Sequence, residues 1–181
     1  ELPNSIELIG GENIVVKNCQ LGAQPTGITC KVQEVNKLSF INNQVYPDGR
    51  ENLVLDACNN CVIEGNNFKS YYNGILVLNG NDNTVNKNIF WLTGAVQNQL
   101  LDHGDDFGII NVKGNNNMVA SNSLSCEWAY AGAVTVNAVQ GTGNVFKNCF
   151  VDNLESYRVF LVNAQTEVSN CVSSDKVSIV E

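Results

Sequence analysis

"VIEGNNFKSYYNGILVLNGNDNTVNKNIF", residues 62–90, decides the fold. Two versions of one phrase, VIEGNNF and VNKNIF, bracket an alternating strand, GILVLNG, and the span holds no amphipathic helix. Working outward, the same phrase returns as VVKNCQL ending at Leu21, FINNQV at Val45, VASNSL at Leu124, VFKNCF at Phe150 and VSNCV at Val172. With Phe68 and Phe90 these are seven closing apolar residues, spaced 24, 23, 22, 34, 26 and 22 apart. Two residues before each closure stands Asn43, Asn66, Asn88, Asn122, Asn148 or Asn170, with Cys19 in the first copy. A second strand fills most periods, as in GITCKV, ENLVLDA, FGIINVKG, GAVTVNAV and YRVFLVNA.

Two or three short strands in a period of twenty-odd residues, without helices between them, predict an all-β right-handed parallel β-helix of about seven coils. A leucine-rich repeat fits less well, because the frame is Val, Ile and Phe and the recurring polar residue is Asn. Stacked coils explain that Asn. At the same bend of each coil its side chain can bond to the Asn above and below and satisfy backbone groups exposed by the turn, where the chain adopts a left-handed or bridge conformation. The seven closures should form one column, with the Asn ladder beside it. Residues 1–181 read as a single β-helix domain. It opens directly on a repeat strand with no cap, as expected of the C-terminal part of a longer chain.

Ten Lys and Arg against eighteen Asp and Glu give a formal charge of -8. No basic stripe is available for nucleic acid, and no apolar run is of membrane-spanning length. Seven cysteines, an odd number, occur without Asn-X-Ser/Thr acceptors, which favours reduced thiols and a reducing or cytoplasmic compartment. CNNC at 58–61 lacks the second pair a zinc site needs, so neither metal nor cofactor is expected. Cys149 and Cys171 share a position in adjacent coils. Their side chains point the same way, which favours a reduced stack over a disulfide.

The interval of 34 exceeds its neighbours by about ten residues, and the excess falls in WLTGAVQNQLLDHGDD, residues 91–106. This insertion carries Trp91, the sole histidine, His103, and Asp102, Asp105 and Asp106. Inserted loops of solenoids gather on one face, often the binding face. The cluster reads as a solvated acidic turn, a substrate contact or subunit interface, or, least favoured, a metal site, and nothing local decides among them.

Three phrases together give a family likeness: NSIELIGG at 4–11, SYYNGILVLNG at 70–80, and LLDHGDDFGIINVKGNNNMVASNSLS at 100–125. In this order the chain resembles the difructose-anhydride-forming inulin fructotransferases over most of its length. The resemblance implies a homotrimeric β-helix enzyme that cuts inulin and other fructans, a lyase class releasing a cyclic difructose anhydride by intramolecular transglycosylation. Secretion would suit an enzyme acting on polymeric inulin. Glu7 matches the family's catalytic Glu in its Asn-x-Ile-Glu-Leu context, and the companion Asp would lie upstream of Glu1. Val77 and His103 depart from the family pattern. Trp91 and Tyr72 are candidate sugar-stacking surfaces, and Asp105, Asp106 and His103 candidate substrate contacts.

Strand alternation independently puts Ser5, Glu7 and Ile9 on one face of SIELI and Ile6 and Leu8 on the other. If the apolar pair points inward, Glu7 faces out, where a neighbouring subunit can desolvate it into a general acid. Three alternatives share the scaffold: a difructose anhydride hydrolase, a pectinase-like enzyme and a non-catalytic adhesin or carbohydrate-binding fragment. Ten scattered basic residues argue against an acidic polysaccharide as substrate.

Overall fold

The computed structural model describes residues 4–22, 27–46, 51–71, 74–93, 108–126, 134–152, 158–172 and 177–180. Every regular element among them is a strand. They form three sheets in which each strand pairs in parallel with its counterpart one coil away. The first sheet has eight strands, from Ile6–Glu12 to Val177–Val180, the second has seven, from Val15–Lys17 to Glu167–Ser169, and the third has six, from Gln20–Leu21 to Phe150–Asp152. The expected parallel β-helix is therefore the observed fold, and the coil count depends on which sheet is counted. Alternation sends one side of every strand into the lumen. There Phe40, Phe68 and Phe90 stack with centroids 6.1 and 5.0 Å apart, and Phe146 meets Phe160 edge-on at 6.0 Å.

Five of the seven expected closures form one inward column, Leu21–Val45–Phe68–Phe90–Leu124. Two do not join it. Leu124 pairs with Val151, while Phe150 pairs with Ser123 on the outer face and is 51% exposed. Val172 is 54% exposed. The reason is a one-residue shift at the bend. In KNCF and SNCV the asparagines Asn148 and Asn170 carry φ of 54° and 51°, the left-handed position held in other coils by Asn18, Asn42, Gly65, Lys87 and Ser121. The inward rung behind them is Cys149 or Cys171. The bend thus divides its work between two adjacent residues. One turns the chain through a conformation that Asn and Gly tolerate best, and the next fills the ladder.

That ladder is Asn43, Asn66, Asn88 and Asn122, each at most 2% exposed. Asn43 Nδ2 donates to Asn66 Oδ1 at 3.1 Å, Asn66 to Asn88 at 2.9 Å and Asn88 to Asn122 at 3.0 Å. The same oxygens accept the backbone N–H of the preceding rung. Each Nδ2 also donates to a carbonyl one coil back, on Val16, Phe40, Ile63 and Val85 respectively. A second buried ladder, Asn83–Asn117–Asn144, holds the other bend in the same way and gives its back-donations to Cys58, Gly80 and Gly114. A Cβ at Gly80 or Gly114 would collide with the carbonyl of the coil above, Cys58 O or Gly80 O, so this column stays small. A third, more exposed ladder runs in the opposite sense: Asn81 donates to Asn59, and Asn115 to Asn81. Cys19, Cys30, Cys58, Cys61, Cys149 and Cys171 are free thiols, and Cys149 N donates to Cys171 Sγ at 3.4 Å.

Candidate functional site

Glu7 lies on the outer face of the first sheet because Ile6 and Leu8, on either side of it, pack towards the core. Its side chain is 45% exposed, and Lys31 of the next coil donates from Nζ to Oε1 at 3.4 Å. The register Glu7–Lys31–Val54–Val77–Asn111 continues this outward column. Beside it runs Ile9–Gln33–Asp56–Asn79. Asp56 accepts from Gln33 Nε2 at 3.4 Å and from Asn79 Nδ2 at 2.7 Å. Farther along the first strand, Glu12 accepts from Asn36 at 2.9 Å and Lys37 at 3.1 Å. The hydrogen bond and charge of Lys37 hold its carboxyl below the usual range, so Glu12 is a carboxylate at neutral pH and not a proton donor.

A glycosidic acid works with a second carboxylate roughly 5–9.5 Å away. Asp56 stands two strands from Glu7, roughly 10 Å along the axis at about 4.8 Å per step, and is offset sideways as well. Lys31 and Gln33 lie between them. Among the described residues none is placed beside Glu7 as its partner.

Trp91 is half-buried on the outer face of the third sheet, in the strand Ile89–Leu92, with Lys69 Nζ 4.5 Å from its ring centroid. It is therefore on a different sheet from Glu7 and in a different coil, so the two candidates are not brought together. Tyr72, His103, Asp105 and Asp106 lie outside the described residues. Sequence reasoning missed Lys31, Asp56 and Lys69. Each is an ordinary strand residue until the coil register places it beside Glu7, Gln33 or Trp91.

A family model described as periplasmic copper-binding protein (NosD) matches residues 2–169. No curated protein matches the chain. Solved structures of DFA-IIIase from Arthrobacter chlorophenolicus A6 are similar in fold. The enzyme without its lid superposes with a TM-score of 0.82 at 18% identity, covering 99% of this chain and 53% of that one. The form in complex with GF2 gives 0.75 at 22%, covering 95% and 46%, and that in complex with DFA-III gives 0.74 at 19%, covering 95% and 48%. The chain spans about half the length of these structures. Copper would need thiolates or imidazoles gathered at one point. No three His, Cys, Asp or Glu side chains are so grouped among the described residues. Burial pushes the Cys30 thiol up to about 12 and Cys61 to about 11, which keeps both protonated. The described residues therefore do not fit a copper ion.

Proposed function

The chain belongs to the family described as periplasmic copper-binding protein (NosD), and on that β-helical scaffold we propose a carbohydrate-active enzyme of the inulin fructotransferase type. The observation that carries the reading is Glu7, a half-exposed carboxyl on the outer face of the first sheet, set in a band of Lys31, Gln33, Asp56 and Asn79 that can bond sugar hydroxyls. The likeness to DFA-IIIase over nearly the whole chain supports it.

In the proposed reaction the Glu7 carboxylic acid protonates the oxygen leaving the anomeric carbon of the penultimate fructose. A hydroxyl of the terminal fructose, held alongside, attacks that carbon in place of water, and its proton passes to a second carboxylate. The product is a cyclic difructose anhydride. Substrate seated in a trimer interface would displace Lys31 from Glu7 and exclude water. The companion Asp belongs upstream of Glu1 in the full-length protein, of which these residues are the C-terminal part in this reading. Tyr72 then serves as a stacking surface, and Asp105, Asp106 and His103 as specificity contacts, while Trp91 on the third sheet stands apart from this chemistry. A second reading, hydrolysis of the anhydride by water, draws support from the similar enzyme's complex with DFA-III.

Glu7→Gln in the full-length protein, assayed on inulin and on difructose anhydride, tests both readings. Turnover should fall roughly a hundredfold or more, the scale of losing a general acid. Unchanged turnover would remove Glu7 from the chemistry, and the product formed from inulin decides between cyclisation and hydrolysis.

A further inference from the structure

Away from Glu7, the outer face of the third sheet holds a shallow depression of about 60 Å³, lined by Gln44, Val45, Tyr46, Asn67 and Lys69. Its floor is fixed from behind. Asn52, fully buried, donates from Nδ2 to both Tyr46 O at 3.2 Å and Lys69 O at 2.9 Å, tying together the ends of two adjacent strands. Among the described residues lining it, one buried polar atom lacks a partner: Asn67 Oδ1, which is shielded from solvent. A buried acceptor without a donor costs about 1–3 kcal/mol, and a ligand that supplies an O–H recovers it.

The register extends the depression into a track. Gln44, Asn67 and Ile89 follow one another in one outward column, and the neighbouring column carries Tyr46, Lys69 and Trp91. Polar groups therefore alternate with Ile89, which is 48% exposed, and with the aromatic rings, at a coil spacing of about 4.8 Å. Lys69 is the only cation among the described residues lining the depression, and its ammonium already lies over the Trp91 ring. An acidic ligand would meet the Asn67 oxygen without a free counter-charge, in a chain of net charge -8.

We propose that this track binds a neutral oligosaccharide lying along the solenoid axis. A small rotation of the Asn67 side chain brings its shielded Oδ1 to the surface, where one hydroxyl donates to it, others bond the Gln44 amide, and sugar C–H faces rest on Tyr46 and Ile89. The site is separate from Glu7 and would hold a glycan without acting on it.

Titration of the protein with a neutral inulin-type trisaccharide, followed by NMR of side-chain amides and indoles, tests the assignment. Trigalacturonate serves as the charged comparison. The Asn67 and Gln44 amide signals and the Trp91 indole signal should shift together and saturate. Asn67→Leu should reduce those shifts at least tenfold at equal ligand while turnover stays within twofold. Glu7→Gln should leave them intact, so a failure of the catalytic reading and a failure of this one are seen separately. Shifts confined to the neighbourhood of Glu7, shifts indifferent to Asn67→Leu, or larger shifts with trigalacturonate than with the neutral sugar would each overturn it. A second variant, Tyr46→Ala, should weaken the neutral sugar without altering the far-ultraviolet circular dichroism, and unchanged affinity there counts against the track.

Discussion

Asn66 and Asn67 are chain neighbours with the same side chain and opposite surroundings. Asn66 points into the bend, donates to Phe40 O and Asn88 Oδ1, and accepts from both the backbone and the side chain of Asn43. Asn67 points outward on the third sheet with an acceptor that meets nothing among the described residues. The bend ladder is a closed polar network, and the third-sheet face is an open one. In a solenoid the closed network fixes the coil, and the open one is available for a ligand.

The sharpest way to break this contrast is to replace each Asn by Leu and compare chemical denaturation. Asn66→Leu strands Asn43 N–H, one hydrogen of Asn43 Nδ2 and Phe40 O, so stability should fall by about 3 kcal/mol or more at about 1–3 kcal/mol per buried group. Asn67→Leu removes a buried acceptor that has no partner among the described residues, so stability should hold or rise, by up to about 1–3 kcal/mol. Equal losses at the two positions would end the distinction.

A smaller effect sharpens it from the other side. Where Cys149 takes the rung, it offers the ladder a thiol instead of an amide oxygen. Cys149→Asn should give the preceding rung, Asn122, an amide oxygen in place of the weaker sulfur acceptor and raise stability by about 1 kcal/mol, read as a higher denaturant midpoint at unchanged slope. A loss would mean that the end of the ladder is shaped for sulfur.

The smallest effect belongs to the exposed margin. Glu12 is held below its usual range in the folded state, first by the hydrogen bond from Lys37 and then by that cation's charge. Because the folded value is the lower one, its stabilising contribution is present above the unfolded value of about 4.5 and is lost as pH falls through the folded one. Glu12→Gln should therefore lower stability slightly near pH 7 and leave it unchanged in acid, which flattens the acid limb of the stability curve. Solvent screening keeps it minor.

The β-helix was legible because its period, strand alternation and Asn all repeat. Its register was legible only in part. KNCF and SNCV admit two alignments differing by one residue, and the similar KNCQL held the key, since there the rung is Cys19 and the left-handed residue Asn18. The second ladder left a signal too, in Asn83, Asn117 and Asn144, each two residues before Val85, Val119 and Phe146. Competing Asn at neighbouring positions hid it. The outward direction of Glu7 followed from alternation within one strand. Its pairing with Lys31 depends on contact across 24 residues, and the open acceptor of Asn67 on what the surrounding coils leave unmade, so neither could be read from a single segment.

The opposed senses of the ladders bear on how such a chain acquires its structure as it is synthesised. In both buried ladders a coil's backbone N–H and one of its two side-chain amide hydrogens find their acceptor on the following coil, as Asn43 waits for Asn66 and Asn83 for Asn117, while the other amide hydrogen bonds the coil already made. In the outer ladder Asn81 reaches back to Asn59, which has already been made. A chain leaving the ribosome amino-terminus first thus fastens its surface rung at once, while its interior rungs stay incomplete until about one more period has emerged. The growing end is polar on the inside until its successor covers it, which distinguishes the tip of a nascent solenoid from every coil behind it.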